Sequence, residues 1–227
     1  MKRIIPFLFL ICFMLTSINV KAYDPENSGF KYYELQKRVY VNSDKITEIP
    51  TEVQEAWDEI GSYYMKMFER EKTTLYYTTG VSLSQRYTDD GVNYDGLYIK
   101  AQTVYTVKIR RKYYHPERGG KIYVYSDVKS ADTVIHEYGH AAYDIYRYRI
   151  GFFNDFDDTW EEIYDKNKDI LAKYDKISSV SVPLDSEEGF AEAFRWFVKD
   201  PESLNKKSRR VYTYMLEVMQ KAGKFRE

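Results

Sequence analysis

The chain has 227 residues, 44% hydrophobic and 30% charged, with a formal net charge of −1, which suits one globular domain able to bury a sizeable core. The near-balanced charge supplies no basic footprint and argues against a nucleic-acid partner. A single cysteine, Cys12, leaves no disulfide framework within the chain.

Met1-Lys2-Arg3, the apolar run Ile4 to Leu15 and the ending Val20-Lys21-Ala22 have the order of a secretion signal cleaved after Ala22. The run is too short for a comfortable membrane span. Bulky Ile11 before Cys12 speaks against a lipoprotein anchor. Removing residues 1–22 takes away Lys2, Arg3, Lys21 and no acidic residue, so the net charge moves from −1 to −4. Cys12 leaves with it, and residues 23–227 then form a single domain without thiol chemistry. The expectation is a secreted, extracellular monomer with no stable membrane insertion after signal removal. A secreted chain without disulfides fits a bacterial exoprotein.

After a polar entry segment, Ile49-Pro50-Thr51 opens a helix, with Thr51 and Gln54 spaced as a capping box. Val53, Trp57, Ile60, Tyr64 and Phe68 recur at helical spacing, which predicts one amphipathic helix packed on the core. Strand-like runs follow at Thr74–Thr79, Gly96–Lys100, Val104–Ile109 and Lys121–Ser126. Turn-like Asp89-Asp90-Gly91 and Gly119-Gly120 separate them. From residue 130 the pattern is helical, with candidates at 130–148, 158–175, 186–199 and 201–222. Helix, small sheet, then helices is an α+β order. The basic cluster Lys206-Lys207-Ser208-Arg209-Arg210 reads as the solvated face of an amphipathic helix.

The segment that carries chemistry is Thr133-Val134-Ile135-His136-Glu137-Tyr138-Gly139-His140. Residues four apart share a helix face, so His136 and His140 can reach one metal ion. Glu137 sits beside the first ligand, where its carboxylate can reach a water on the metal without ligating. Ser130 is placed to cap the helix. Zinc needs a third protein ligand and leaves a fourth position open for water. No histidine follows His140, so a longer three-histidine motif is excluded and a downstream carboxylate should complete the site.

The segment Asp185-Ser186-Glu187-Glu188-Gly189-Phe190-Ala191-Glu192-Ala193-Phe194-Arg195 offers that carboxylate. On a helix Glu188, Glu192 and Arg195 share one face, while Phe190, Phe194 and Phe197 point to the core. Glu188 as ligand with Glu192 orienting an imidazole one turn on is the favoured assignment. Glu187 and Glu192 are the alternative ligands. Two plainer readings compete: an Asp185/Glu188 capping box, and a surface charge stripe from Glu188 to Arg195.

Together, His136-Glu137-Tyr138-Gly139-His140-Ala141 and Glu188 to Arg195 resemble the catalytic domain of the anthrax toxin lethal factor family, including the related secreted Pro-Pro endopeptidases. The likeness spans residues 50–222, with specific motifs only at 136–141 and 188–195. The resemblance implies a mainly helical, zincin-like domain with a small twisted mixed sheet whose edge strand borders the active-site cleft. It makes residues 121–126 that edge strand, along which a protein or peptide substrate lies as an added strand. It implies one Zn2+ per chain on His136, His140 and Glu188, with Glu137 as general base, in a gluzincin-type metalloendopeptidase that includes proline-directed members. The family also has a tyrosine shortly before the ligand glutamate. Here Ser181 stands at that spacing, and Tyr174 is the substitute if the following loop is longer. His115, in Tyr114-His115-Pro116, reads as a surface residue of a charged turn, with the substrate cleft as its alternative place. Two rival functions are a zinc aminopeptidase and a zinc-binding protein without turnover.

Overall fold

In a computed structural model of the chain, residues 31–36, 38–80, 88–89, 92–93, 96–99, 103–108, 111–116, 120–125, 130–147, 156–174 and 185–224 are described. Between 88 and 116 this covers backbone pairing. The expected signal segment 1–22 with Cys12, the turn at Asp90-Gly91, and Ser181 lie outside these residues.

Strands β1 (Tyr33–Gln36) and β2 (Val39–Val41) form an antiparallel pair. Helices α1 (Thr51–Ile60) and α2 (Ser62–Arg70) then lead to β3 (Thr74–Thr78), which lies parallel to β2. Strands β4 (Thr88–Asp89) and β5 (Val92–Asn93) pair with each other, as do β7 (Thr103–Lys108) and β8 (Arg111–Pro116). Between them β6 (Gly96–Ile99) joins the main sheet beside β9 (Lys121–Tyr125). The chain continues as α3 (Ala131–Ile145), α4 (Phe156–Tyr174), α5 (Ser186–Lys199), α6 (Pro201–Lys207) and α7 (Arg209–Lys224). The five-stranded mixed sheet has the order β1-β2-β3-β9-β6. The class is α+β, as expected.

Period-two alternation sorts the two faces of the sheet. Val39, Val41, Leu75, Tyr77, Ile122 and Val124 are buried in the helix-covered core. On the opposite face Tyr40, Tyr76 and Tyr123 sit in register on β2, β3 and β9. Their rings stack at centroid distances of 5.2 and 4.7 Å, so the three tyrosines form a cross-strand ladder. Among the described residues, no helix is long and apolar enough to cross a membrane.

Several expectations are corrected. Residues 121–125 are not an edge strand: β9 hydrogen-bonds to β3 on one side and to β6 on the other. Ile122 and Val124 are almost wholly buried, as befits an interior strand. The edge at this end is β6, and both β6 and β9 pack against α3. The single helix expected from Val53 to Phe68 is two, broken at Gly61, whose φ of 83° is left-handed territory open to glycine. The Thr51/Gln54 capping box is not formed. Pro50 holds the cap position without a side-chain hydrogen bond, and Gln54 donates instead to Asp58 at 2.8 Å.

The last helix is likewise two, parted at extended Ser208, whose hydroxyl accepts from the Val211 amide at 3.2 Å and so starts α7. Lys206, Lys207, Arg209 and Arg210 are exposed, as expected of a solvated face. His115 lies not in a turn but in β8, opposite Val104. Strands β1, β2, β4, β5 and β8 arise where no strand was expected, and Asp89, expected in a turn, ends β4.

Candidate metal centre

The site is made by two helices crossing at close range. Helix α3 starts where the Ser130 hydroxyl accepts from the Asp132 amide at 3.2 Å, the expected cap. Val134, Ile135, Tyr138, Ala141 and Ala142 bury the helix on its other sides. Helix α5 starts where the Asp185 carboxylate accepts from the Glu188 amide at 2.8 Å. Asp185 is thus a cap, but the Glu188 carboxylate does not reach back to complete a box. It turns to α3. Phe190 and Phe194, both fully buried, hold α5 in the core, as its apolar face required.

Gly139 sets how near the helices come. A Cβ built there would stand 2.7 Å from the Ala191 Cα and 3.0 Å from its carbonyl oxygen, closer than real Cβ contacts occur. Only glycine lets the α3 backbone lie against α5 at this point. The contact falls between His136 and His140 on one helix and between Glu188 and Glu192 on the other.

There the side chains meet. His136 Nε2 and His140 Nε2 are 3.1 Å apart. Glu188 Oε2 lies 3.2 Å from His136 Nε2, and Glu188 Oε1 lies 3.3 Å from His140 Nε2. His136, His140 and Glu188 form a group that could hold a metal ion. His136 Nδ1 donates to Glu192 Oε1 at 2.8 Å, and Arg195 Nη2 donates to Glu192 Oε2 at 2.5 Å. Glu192 and Arg195 are each only 3% exposed, so the surface charge stripe is excluded. Glu187 is drawn away from the cluster to Arg147, 3.2 Å from its guanidinium. Of the three carboxylates weighed as ligands, Glu188 faces both Nε2 atoms.

This arrangement has an electrostatic consequence. With its Nδ1 hydrogen committed to Glu192, a neutral His136 presents a lone pair to both His140 and Glu188. Two imidazole nitrogens and a carboxylate facing one another favour a proton or a metal ion among them. Burial pulls the His136 imidazole down, but hydrogen bonds to Glu188 and Glu192 and the charges of Glu192 and Glu137 leave it well above 6.5. Burial likewise opposes the charged form of His140, and Glu188 outweighs it, so that group is raised too. Burial pushes Glu188 up, yet the two imidazoles hold it far below the usual carboxylate range. Glu137, 5% exposed, adds its charge to the same cluster.

Other expected positions fall elsewhere. Tyr174 is the last residue of α4, and its side chain is outside the described residues. His115 is on β8, part of a separate two-stranded sheet. The structural parts that sequence reasoning missed are the Gly139–Ala191 approach, the Arg147–Glu187 pair and burial of Arg195 behind Glu192. The only signal for the first was a glycine inside the motif and an alanine-flanked Glu192 facing it.

No protein-family model matches the chain. No curated protein matches it either.

Proposed function

We propose that the chain is a secreted zinc metalloendopeptidase. The observation that carries this reading is the convergence of His136 Nε2, His140 Nε2 and the Glu188 carboxylate at separations of 3.1–3.3 Å. A tetrahedral zinc with bonds of about 2.0–2.1 Å has ligand–ligand edges of about 3.3–3.4 Å, so the donor set fits this ion. Two imidazoles and one carboxylate also leave one tetrahedral position open.

When bound there, zinc would polarise a peptide carbonyl and make an attacking water acidic enough to react near neutral pH. Everything else is the work of the chain. Glu137 follows the first ligand on the same helix and is held in a buried position, suited to taking the water proton and returning it to the departing amine. Glu192, fixed by Arg195, accepts from His136 Nδ1 and so keeps Nε2 free as a donor to the metal. Strand β6 is the sheet edge packed against α3, and a substrate segment can add to it as a further strand. Tyr174, at the end of the helix packed on α5, is the candidate for steadying the oxyanion.

The test separates metal binding from hydrolysis. Glu137→Gln should retain about one zinc per chain, since Glu137 is not among the ligands, yet lose peptide cleavage by at least about a thousandfold. A zinc-loaded Glu137→Gln protein that cleaves at the parental rate would overturn the assignment. An enzyme restricted to free N-termini would spare N-terminally blocked peptides; the endopeptidase reading expects them to be cut.

A further inference from the structure

The Tyr138 ring leaves α3 about 200° round from His136, on the far side of the helix from the metal ligands. There Trp57, Phe68 and Tyr138 floor a cavity of about 480 Å³ between α1 and α2, with Asp58, Lys66 and Glu69 on its rim. We propose that this cavity binds a cationic group on a short apolar stem with a carbonyl beside it, the chemistry of an arginine or lysine residue in a polypeptide. The inference does not rest on hydrolysis at the metal centre.

Three observations converge on that chemistry. The floor is aromatic: Trp57 and Tyr138 are buried, and the Phe68 ring meets Tyr138 edge-on at 4.7 Å. Aromatic faces attract cations and accept the apolar stem that carries them. The rim has two carboxylates against one ammonium. Glu69 and Lys66 form no ion pair among the described residues, and Asp58 is met only by the neutral Gln54 amide. A guanidinium or ammonium group entering between Asp58 and Glu69 gains charge-assisted hydrogen bonds without displacing a resident cation.

The third observation is a buried donor. The Tyr138 hydroxyl accepts from Trp57 Nε1 at 3.0 Å, but its own hydrogen meets no acceptor among the described residues. Tyr138 is 3% exposed, and its hydroxyl, already an acceptor for Trp57, still has one hydrogen to give. A ligand carbonyl oxygen over the floor would accept that hydrogen. The cavity is larger than one side chain and lies within the range of about 300–1,000 Å³ usual for ligand sites, so a residue with its flanking peptide groups fits.

The experiment titrates the full chain with N-acetyl-arginine N-methylamide and follows the Trp57 indole resonance, assigned with Trp57→Phe. The neutral isostere N-acetyl-citrulline N-methylamide keeps the stem, the carbonyls and the shape. The arginine probe should bind at least tenfold tighter than the citrulline probe. The double variant Asp58→Asn, Glu69→Gln, on exposed positions and checked for an intact melt, should remove most of that ratio by weakening the arginine probe far more than the citrulline probe. Tyr138→Phe, checked for an intact melt, should weaken both probes alike. n-Propylguanidinium, which has the same single charge and stem but no carbonyl, should bind several-fold more weakly than the arginine probe. Equal binding of arginine and citrulline, indifference to the double variant, n-propylguanidinium as tight as the arginine probe, or no movement of the Trp57 resonance would each overturn the proposal.

Discussion

Replacing Gly139 by alanine adds one methyl group at the point where α3 lies on α5. The new Cβ would sit 2.7 Å from the Ala191 Cα, and an ordinary contact begins at 3.4 Å, so the helices must part by about 0.7 Å. The obstacle is backbone, which cannot rotate aside as a long side chain would. Overpacking of this kind costs about 1–3 kcal/mol, and alanine returns about 0.8–1 kcal/mol in helix propensity. The net loss is about 0–2 kcal/mol, or a fall in Tm of at most about 8 °C for a domain of this size.

The larger effect falls on the metal. Glu188 lies one turn before Ala191, and metal sites tolerate donor displacements of only about 0.2 Å. Zinc affinity, measured by competition with a chromophoric chelator, should drop at least tenfold, far beyond what the stability loss alone would cause. Adding Ala191→Gly should rescue little, because the Ala191 Cα and carbonyl oxygen remain in place at 2.7 and 3.0 Å. A Gly139→Ala protein with parental zinc affinity and melting temperature would refute this account of how the two helices bring their ligands together.

Other consequences follow from the same geometry. Glu188→Gln removes the anionic ligand and should cost at least about a hundredfold in zinc affinity while the fold, read by circular dichroism, persists. Glu192→Gln keeps an acceptor for His136 and should lower zinc affinity modestly, whereas Glu192→Ala should cost about 10–100-fold. Arg195→Met, which leaves the buried Glu192 charge with only His136 beside it, should destabilise the protein by about 3 kcal/mol in urea unfolding.

The metal-free protein should also have a defined pH response. His136 and His140 are raised above 6.5, so the stability from their protonated forms is present below 6.5 and lost as pH climbs through the folded values. Glu188 is depressed below 4.5, so its contribution is present above 4.5 and lost as pH falls toward the folded value. The cluster therefore helps the metal-free fold most between 4.5 and 6.5. Zinc must displace those protons, so its affinity should rise by about one to two logarithmic units per pH unit from 6 to 7.5. Calorimetry in buffers of different ionisation enthalpy would count the protons released, and a count of zero would contradict this reading.

Much of the site could be read in advance because its parts are local. His136 and His140, and Glu188 and Glu192, are each one helical turn apart, and a helix fixes that relation whatever surrounds it. The caps at Ser130 and Asp185 are likewise decided within three residues. What escaped the sequence was set by tertiary partners. Gly61 interrupts an apolar stripe that continues unchanged on either side, so periodicity alone runs through the break. Ser208 does the same between Leu204 and Val211, where its hydroxyl starts a new helix. The place of 121–125 in the sheet depends on which strand comes to lie beside it. Alternating Tyr, Ile and Val suit an edge and an interior equally, and only pairing with β6 decides. The sequence left a surface charge stripe through Arg195 open because the burial of Arg195 is offset by Glu192, a pairing visible only once His136 lies against α5.

The most direct test of the central claim is digestion of a diverse peptide library by purified residues 23–227, read by mass spectrometry, with zinc bound, removed by chelator, and restored. The account predicts internal peptide-bond cleavage that disappears with the metal and returns with stoichiometric zinc. Cleavage that persists in protein shown to be metal-free, or none from a folded protein carrying one zinc, would contradict it.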